Sequence, residues 1–100
     1  MIDVSIIIIN YNTDALTLQA VASVFKYVKE IAFEIIVVDN NSKETLLERD
    51  LATYPNTYFY RLENNMGFGK ANNYGYSKSN GKYIFLFNSD SYKKKKKTIS

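Results

Sequence analysis

One hundred residues, 46% of them apolar and 15% aromatic, suffice for one small globular domain. With neither Cys nor His in the chain, disulfides, thiolate metal sites and imidazole chemistry are excluded, so any metal must bind oxygen and is expected to be Mg²⁺ or Mn²⁺. The net charge of +3 comes mostly from Lys93 to Lys97 and gives no case for a nucleic-acid partner; the apolar run Val4 to Ile9 is too short for a leader or a membrane span, so a cytoplasmic protein is expected.

Val4-Ser5-Ile6-Ile7-Ile8-Ile9 is β-branched with little alternation, as a strand covered on both faces reads. Asn10-Tyr11-Asn12-Thr13-Asp14 breaks it. Leu18, Val21, Val24, Phe25 and Val28 then recur at helical spacing, with Thr13 or Asp14 as N-cap. Phe33 to Val38 is a second buried strand ending in Asp39-Asn40-Asn41-Ser42. Asn41 and Glu44 have capping-box spacing before a short helix whose apolar face is Leu46, Leu47 and Leu51. Thr57 to Leu62 alternates and is rich in Tyr and Phe, which predicts a third strand nearer an edge. A turn at Glu63 to Gly69 precedes a helix from about Lys70 to Ser79, stopped at Asn80-Gly81. Tyr83 to Phe87 is a fourth strand, ending in Asn88-Ser89-Asp90-Ser91. The order βαβαβαβ predicts an α/β fold, a Rossmann-like parallel sheet with helices on its faces.

In such sheets ligands bind beyond the carboxyl ends of the strands. There the sequence puts four polar clusters: Asn10-Tyr11-Asn12, Asp39-Asn40-Asn41, Asn64-Asn65 and Asn88-Ser89-Asp90. Turn-forming residues collect in such loops of any α/β protein, so the clusters are informative mainly together. A dinucleotide fold needs G-x-G-x-x-G after the first strand, and a P-loop needs G-x-x-x-x-G-K-[ST]; neither is present. A nucleotide held without a glycine cradle needs a metal to meet its diphosphate charge. Asp90 is placed to hold that metal, Tyr11 to stack on the base, and Asp39 to accept a pyrimidine N3–H.

Four segments resemble glycosyltransferase family 2, the large inverting family with the GT-A fold. Val4 to Asn12 is similar to its opening strand and base-binding loop, and Glu34 to Ser42 to its V-V-D-N-x-S segment. Asn64 to Asn73 resembles the N-x-G-F-G-x-A-N-N segment of rhamnosyltransferase-like members, and Tyr83 to Ser91 the strand ending in Asp-x-Asp, here in the N-x-D form. The resemblance covers about residues 3–91, leaving 92–100 as a lysine-rich tail or the start of a cut helix. It implies transfer of a sugar from a nucleotide-diphosphate donor to an acceptor hydroxyl with inversion, in polysaccharide or cell-surface glycan synthesis. By the same resemblance Asn10, Tyr11, Asn12, Asp39, Asn41, Lys70, Asn73 and Asn88 line the donor nucleotide and Asp90 binds Mn²⁺ or Mg²⁺.

UDP- or dTDP-sugars are favoured over GDP-sugars, with a glycan or lipid-linked acceptor, and a location in the cytoplasm or at the inner face of the membrane. The general base of the family lies well beyond Asp90, and the chain stops at Ser100. The 100 residues are therefore expected to be the donor-binding half, truncated after the fourth strand, unable to transfer sugar efficiently and prone to self-association at that strand. Gly67 and Gly69 are expected to serve backbone geometry and Phe68 to be core. The alternatives are a noncatalytic nucleotide-sugar-binding or interaction fragment and a sugar-nucleotide pyrophosphorylase, whose Gly-rich first loop is missing here. A phospho-receiver domain would need paired acids after the first strand, which are also missing.

Overall fold

A computed structural model describes residues 1–88. The elements run β1 (Val4–Asn10), α1 (Asp14–Tyr27), β2 (Phe33–Asp39), α2 (Leu47–Asp50), β3 (Thr57–Arg61), α3 (Gly67–Ser77) and β4 (Tyr83–Asn88). The four strands form one parallel sheet in the order β3-β2-β1-β4. The expected βαβαβαβ order and the edge position of β3 are both present.

The β-branched runs form the two middle strands because both of their faces are covered. On one face Ile6, Ile8, Ile35 and Val37 pack with Ala20 and Val21 of α1, and with Leu47 and Leu51 at α2. On the other, Ile7, Ile9, Ile36 and Val38 pack with Ala71 of α3 and with Leu62. Each buried Ile or Val contributes about 1.5–3 kcal/mol of transfer free energy, so these eight side chains specify the sheet more strongly than any turn. Gly75 lets α3 lie close on this second face, since a Cβ there would meet Ile7 Cγ2 at 2.7 Å.

The chain steps from β1 to β2 to β3 in one direction, with α1 and α2 on one face. It then returns past β1 to β4, with α3 on the opposite face. Right-handed crossovers demand this change of face when the direction reverses. The reversal makes the carboxyl ends of β1 and β4 the switch point of the sheet, where loops diverge and leave a crevice.

Several local expectations are corrected. The proposed Asn41–Glu44 capping box does not form: α2 begins at Leu47, and Asn41 has φ 67°. Its amino end is satisfied from across the fold, by Leu46 N–H donating to Asp14 Oδ2 at 2.9 Å. Thr13 occupies the N-cap position of α1, but its hydroxyl turns to Asn10 instead of the helix. Helix α3 starts at Gly67, earlier than the expected Lys70, because Met66 N–H is held by Asn40 Oδ1 at 2.9 Å. Gly67 has φ 81°, a conformation that favours glycine, whereas Gly69 is ordinary helix. Phe68, expected in the core, is 48% exposed. Among the described residues no helix is long and apolar enough to cross a membrane.

Candidate functional site

Parallel register aligns the strand ends. Asn10 pairs with Asp39, Asp39 with Arg61, and Ile9 with Asn88. Period-two alternation then decides the faces. Asn10 follows Ile6 and Ile8, and Asp39 follows Ile35 and Val37, so both polar side chains lie on the α1/α2 side of the sheet.

Asn10 and Asp39 have no exposed surface. Burial of such groups is tolerable only with complete hydrogen bonding, and the site supplies it. Asn10 Nδ2 donates to Asp39 Oδ1 at 2.8 Å, to Asp14 Oδ1 at 3.0 Å and to Ser42 Oγ at 3.3 Å. Asn10 Oδ1 accepts from Thr17 Oγ1 at 2.6 Å and Thr13 Oγ1 at 3.1 Å. The amide orientation follows from its neighbours: two carboxylates can only accept, so the nitrogen must face them. Asp39 in turn accepts from Ser42 N–H at 2.8 Å and Ser42 Oγ at 2.5 Å. Its one cationic neighbour among the described residues is Arg61, whose Nε stands 3.4 Å from Asp39 Oδ2. Arg61 Nη2 also donates to the Ser42 carbonyl.

Two loops are tied together above this floor. Asn12 N–H donates to Ser42 Oγ at 2.7 Å, and Asn12 Oδ1 accepts from Lys43 N–H at 2.9 Å. Asn12 and Asn41 both have positive φ, at 56° and 67°, which Asn tolerates better than most residues. Their placement in the loops therefore has a backbone reason of its own. A concavity of about 420 Å³ opens between the loops, lined by Asn12, Asp14, Lys43 and Glu44.

The sequence-derived residues separate into a floor and a rim. Asn10 and Asp39 are the buried floor; Tyr11, 48% exposed, with Asn12 and Asn41, stands at the rim. Lys70 lies in the first turn of α3 and Asn73 one turn further on, both exposed, on a helix whose start is bound to the end of β2 through Asn40. The backbone of Asn88 ends β4 beside Ile9, the residue before Asn10. Asp90 lies outside the described residues.

Asp14, Thr17, Asn40, Ser42 and Arg61 also hold this end of the sheet together and were not among the site residues expected from sequence. Thr17 carried one signal, a polar residue on the buried face of α1. Arg61 carried another, a cation at the end of a strand aligned with two polar strand ends.

The described residues alone do not fit a divalent cation. No group of three acidic side chains gathers among them. The carboxylate of Asp39 is taken up by Asn10 and Ser42, with Arg61 beside it, and that of Asp14 by Thr45, Leu46 and Asn10.

The family model described as Glycosyl transferase family 2 matches residues 5–98. No curated protein matches the chain by sequence. Among solved structures, S. aureus TarS 1–349 superposes with a TM-score of 0.71 at 26% identity, over 89% of this chain and 28% of that one. The same protein in complex with UDP-GlcNAc gives 0.71 and 26% over 89% of this chain and 27% of that one. A mannosyltransferase, PcManGT from Pyrobaculum calidifontis in complex with GDP-Man and Mn²⁺, gives 0.76 at 20% identity, over 87% and 27%. These neighbours share the GT-A, Rossmann-like arrangement of the sheet, and this chain spans about 28% of the length of TarS 1–349. From a family match over nearly its whole length and a sheet of this topology, the chain belongs to glycosyl transferase family 2.

Proposed function

We propose that this chain binds the nucleotide of a nucleoside-diphosphate sugar at the carboxyl ends of β1, β2 and β4, as the donor half of an inverting sugar transferase. Tyr11 packs on the base, Asp39 accepts its N–H, and Asn12, Asn41, Lys70, Asn73 and Asn88 line the donor. A UDP- or dTDP-sugar is the favoured donor. Residues 1–91 form the donor-binding part.

The observation that carries the reading is the coincidence of the switch point with the polar strand ends. Asn10 and Asp39 pair across β1 and β2, while β4 ends at Asn88 on the opposite side of β1. Membership of the family and the likeness to a protein solved with UDP-GlcNAc support the same ligand class.

A diphosphate brings negative charge that no glycine cradle in this chain meets. Mn²⁺ or Mg²⁺ held by Asp90 would supply that neutralisation. The residues of the chain bind and orient; Lys70, in the first turn of α3, adds a cation near the helix's positive end, where an anion is favoured. A carboxylate base for the acceptor hydroxyl is expected outside these 100 residues, so the isolated chain binds donor without efficient turnover.

Titration of UDP, dTDP and GDP with and without Mn²⁺ tests this. Binding that strengthens with Mn²⁺, and loses that dependence in Asp90→Ala, is the expected result. Metal-independent binding of a dinucleotide, or no nucleotide binding at all, contradicts it.

A further inference from the structure

The last residues of three neighbouring strands stand in one row. Asn10, Asp39 and Arg61 are paired in register, and Phe59, two residues before Arg61, packs into the same α1/α2 core as Ile35 and Val37. An amide, a carboxylate and a guanidinium thus lie side by side on one face of the sheet. They differ in how firmly they are held.

A carboxylate offers about four acceptor positions. Three at Asp39 are filled by short bonds from Asn10 Nδ2, Ser42 N–H and Ser42 Oγ, at 2.8, 2.8 and 2.5 Å, all from buried partners. The fourth faces Arg61 Nε at 3.4 Å, longer than the 2.7–2.9 Å of a good charge-assisted bond. The Arg61 side chain is 45% exposed, whereas that of Asp39 has no exposure. Arg61 is therefore the one charged neighbour of Asp39, among the described residues, that can move away without opening the core.

Resting on the proposed nucleotide site, we propose that Arg61 is a base-reading residue. With Asp39 it recognises an edge on which a ring N–H adjoins a carbonyl, the pattern of uracil, thymine and guanine. On binding, the Arg61 guanidinium moves off Asp39 Oδ2. The base N–H takes that acceptor position, and the guanidinium donates to the neighbouring base carbonyl oxygen. In the bound state each donor has an acceptor, and the guanidinium stays charged throughout. Cytosine reverses the pattern. It sets an unprotonated ring nitrogen against the carboxylate and an amino group against the guanidinium, leaving polar groups unpaired as the site closes.

The affinities of UDP and CDP are measured for the 100-residue chain and for Arg61→Ala and Arg61→Lys, with Mn²⁺ present. The wild-type chain is expected to prefer UDP. Arg61→Ala is expected to lower the UDP to CDP preference about tenfold, and Arg61→Lys, which keeps the charge but not the planar fork, by less. A residue that only props up Asp39 would weaken both nucleotides alike and leave their ratio unchanged. An unchanged ratio in folded variants, judged by circular dichroism, overturns the role of Arg61 while leaving the nucleotide site intact. No binding of either nucleotide by the wild-type chain overturns the site and this inference together. Should Arg61→Ala unfold, Arg61→Lys carries the test by the same ratio.

Discussion

Both polar atoms of the Asn10 side chain are engaged inside the protein, the nitrogen toward two carboxylates and the oxygen toward two threonine hydroxyls. Truncation at this position leaves Thr17 Oγ1 buried with its acceptor gone and removes a donor from Asp39. Asn10→Ala is expected to cost about 2–4 kcal/mol, since each orphaned buried group costs roughly 1–3 kcal/mol, and urea denaturation reads the loss directly. Tyr11→Ala should leave stability nearly unchanged, because that ring is half exposed, and weaken nucleotide binding instead. The sequence marked both positions as ligand-lining without separating these roles. Tyr11 was legible as an aromatic in a polar loop. The floor role of Asn10 was not, because its partners Thr17, Asp39 and Ser42 lie 7, 29 and 32 positions away. Asp39 was legible as a strand-end acid, but its burial behind Arg61 depends on a register that only the folded sheet sets.

Helix and strand ends are held by contacts made at a distance. The amino end of α2 is met by Asp14, the start of α3 by Asn40, and the loop before β4 by a buried carboxylate at the opposite end of the sheet. There Ser5 Oγ donates to Glu34 Oε2 at 2.6 Å and accepts from Gly81 N–H at 2.7 Å, while Asn80 N–H donates to Glu34 Oε2 at 2.6 Å. The loop lies so close that a Cβ on Gly81 would meet Ser5 N at 2.5 Å and Val4 C at 2.8 Å, both backbone atoms. Gly81→Ala should therefore lower the melting temperature by about 5 °C or more, as overpacking costs roughly 1–3 kcal/mol. Gly69→Ala is the counterpart. It sits inside α3 with open space around it, and helix propensity alone should raise stability by about 0.5–1 kcal/mol. Thermal unfolding of the pair checks both signs. Short apolar, β-branched or aromatic runs bounded by turn residues, with alternation only in β3, made all four strands readable in sequence. The caps were not, because the short-range pairing of Asn41 with Glu44 loses to Asp14, which reaches α2 from the start of α1.

At the scale of the whole molecule, the parallel direction of all four strands explains why the polar clusters share one end, and βαβ alternation with right-handed crossovers was enough to anticipate that; the reversal of strand order is set by packing that the sequence did not display. The order β3-β2-β1-β4 also makes β4 an edge among the described residues. Tyr83, Phe85 and Leu86 on that strand are 69%, 37% and 41% exposed, and a groove of about 390 Å³ runs between Phe85, Phe87, the Val24–Tyr27 end of α1, and Val28 and Ile31 that follow it. An exposed apolar edge is a template for pairing with a second copy. Sedimentation velocity should show association that grows with concentration and falls in Leu86→Lys, which sets a charge on the edge. The central claim concerns location, and amide chemical-shift mapping with UDP and Mn²⁺ tests it most directly. Shifts should concentrate at residues 10–13, 39–43 and 61–70, at the carboxyl ends of the strands. Shifts concentrated instead at Ser5, Glu34, Asn80 and Gly81, at the opposite end of the same sheet, would contradict the account.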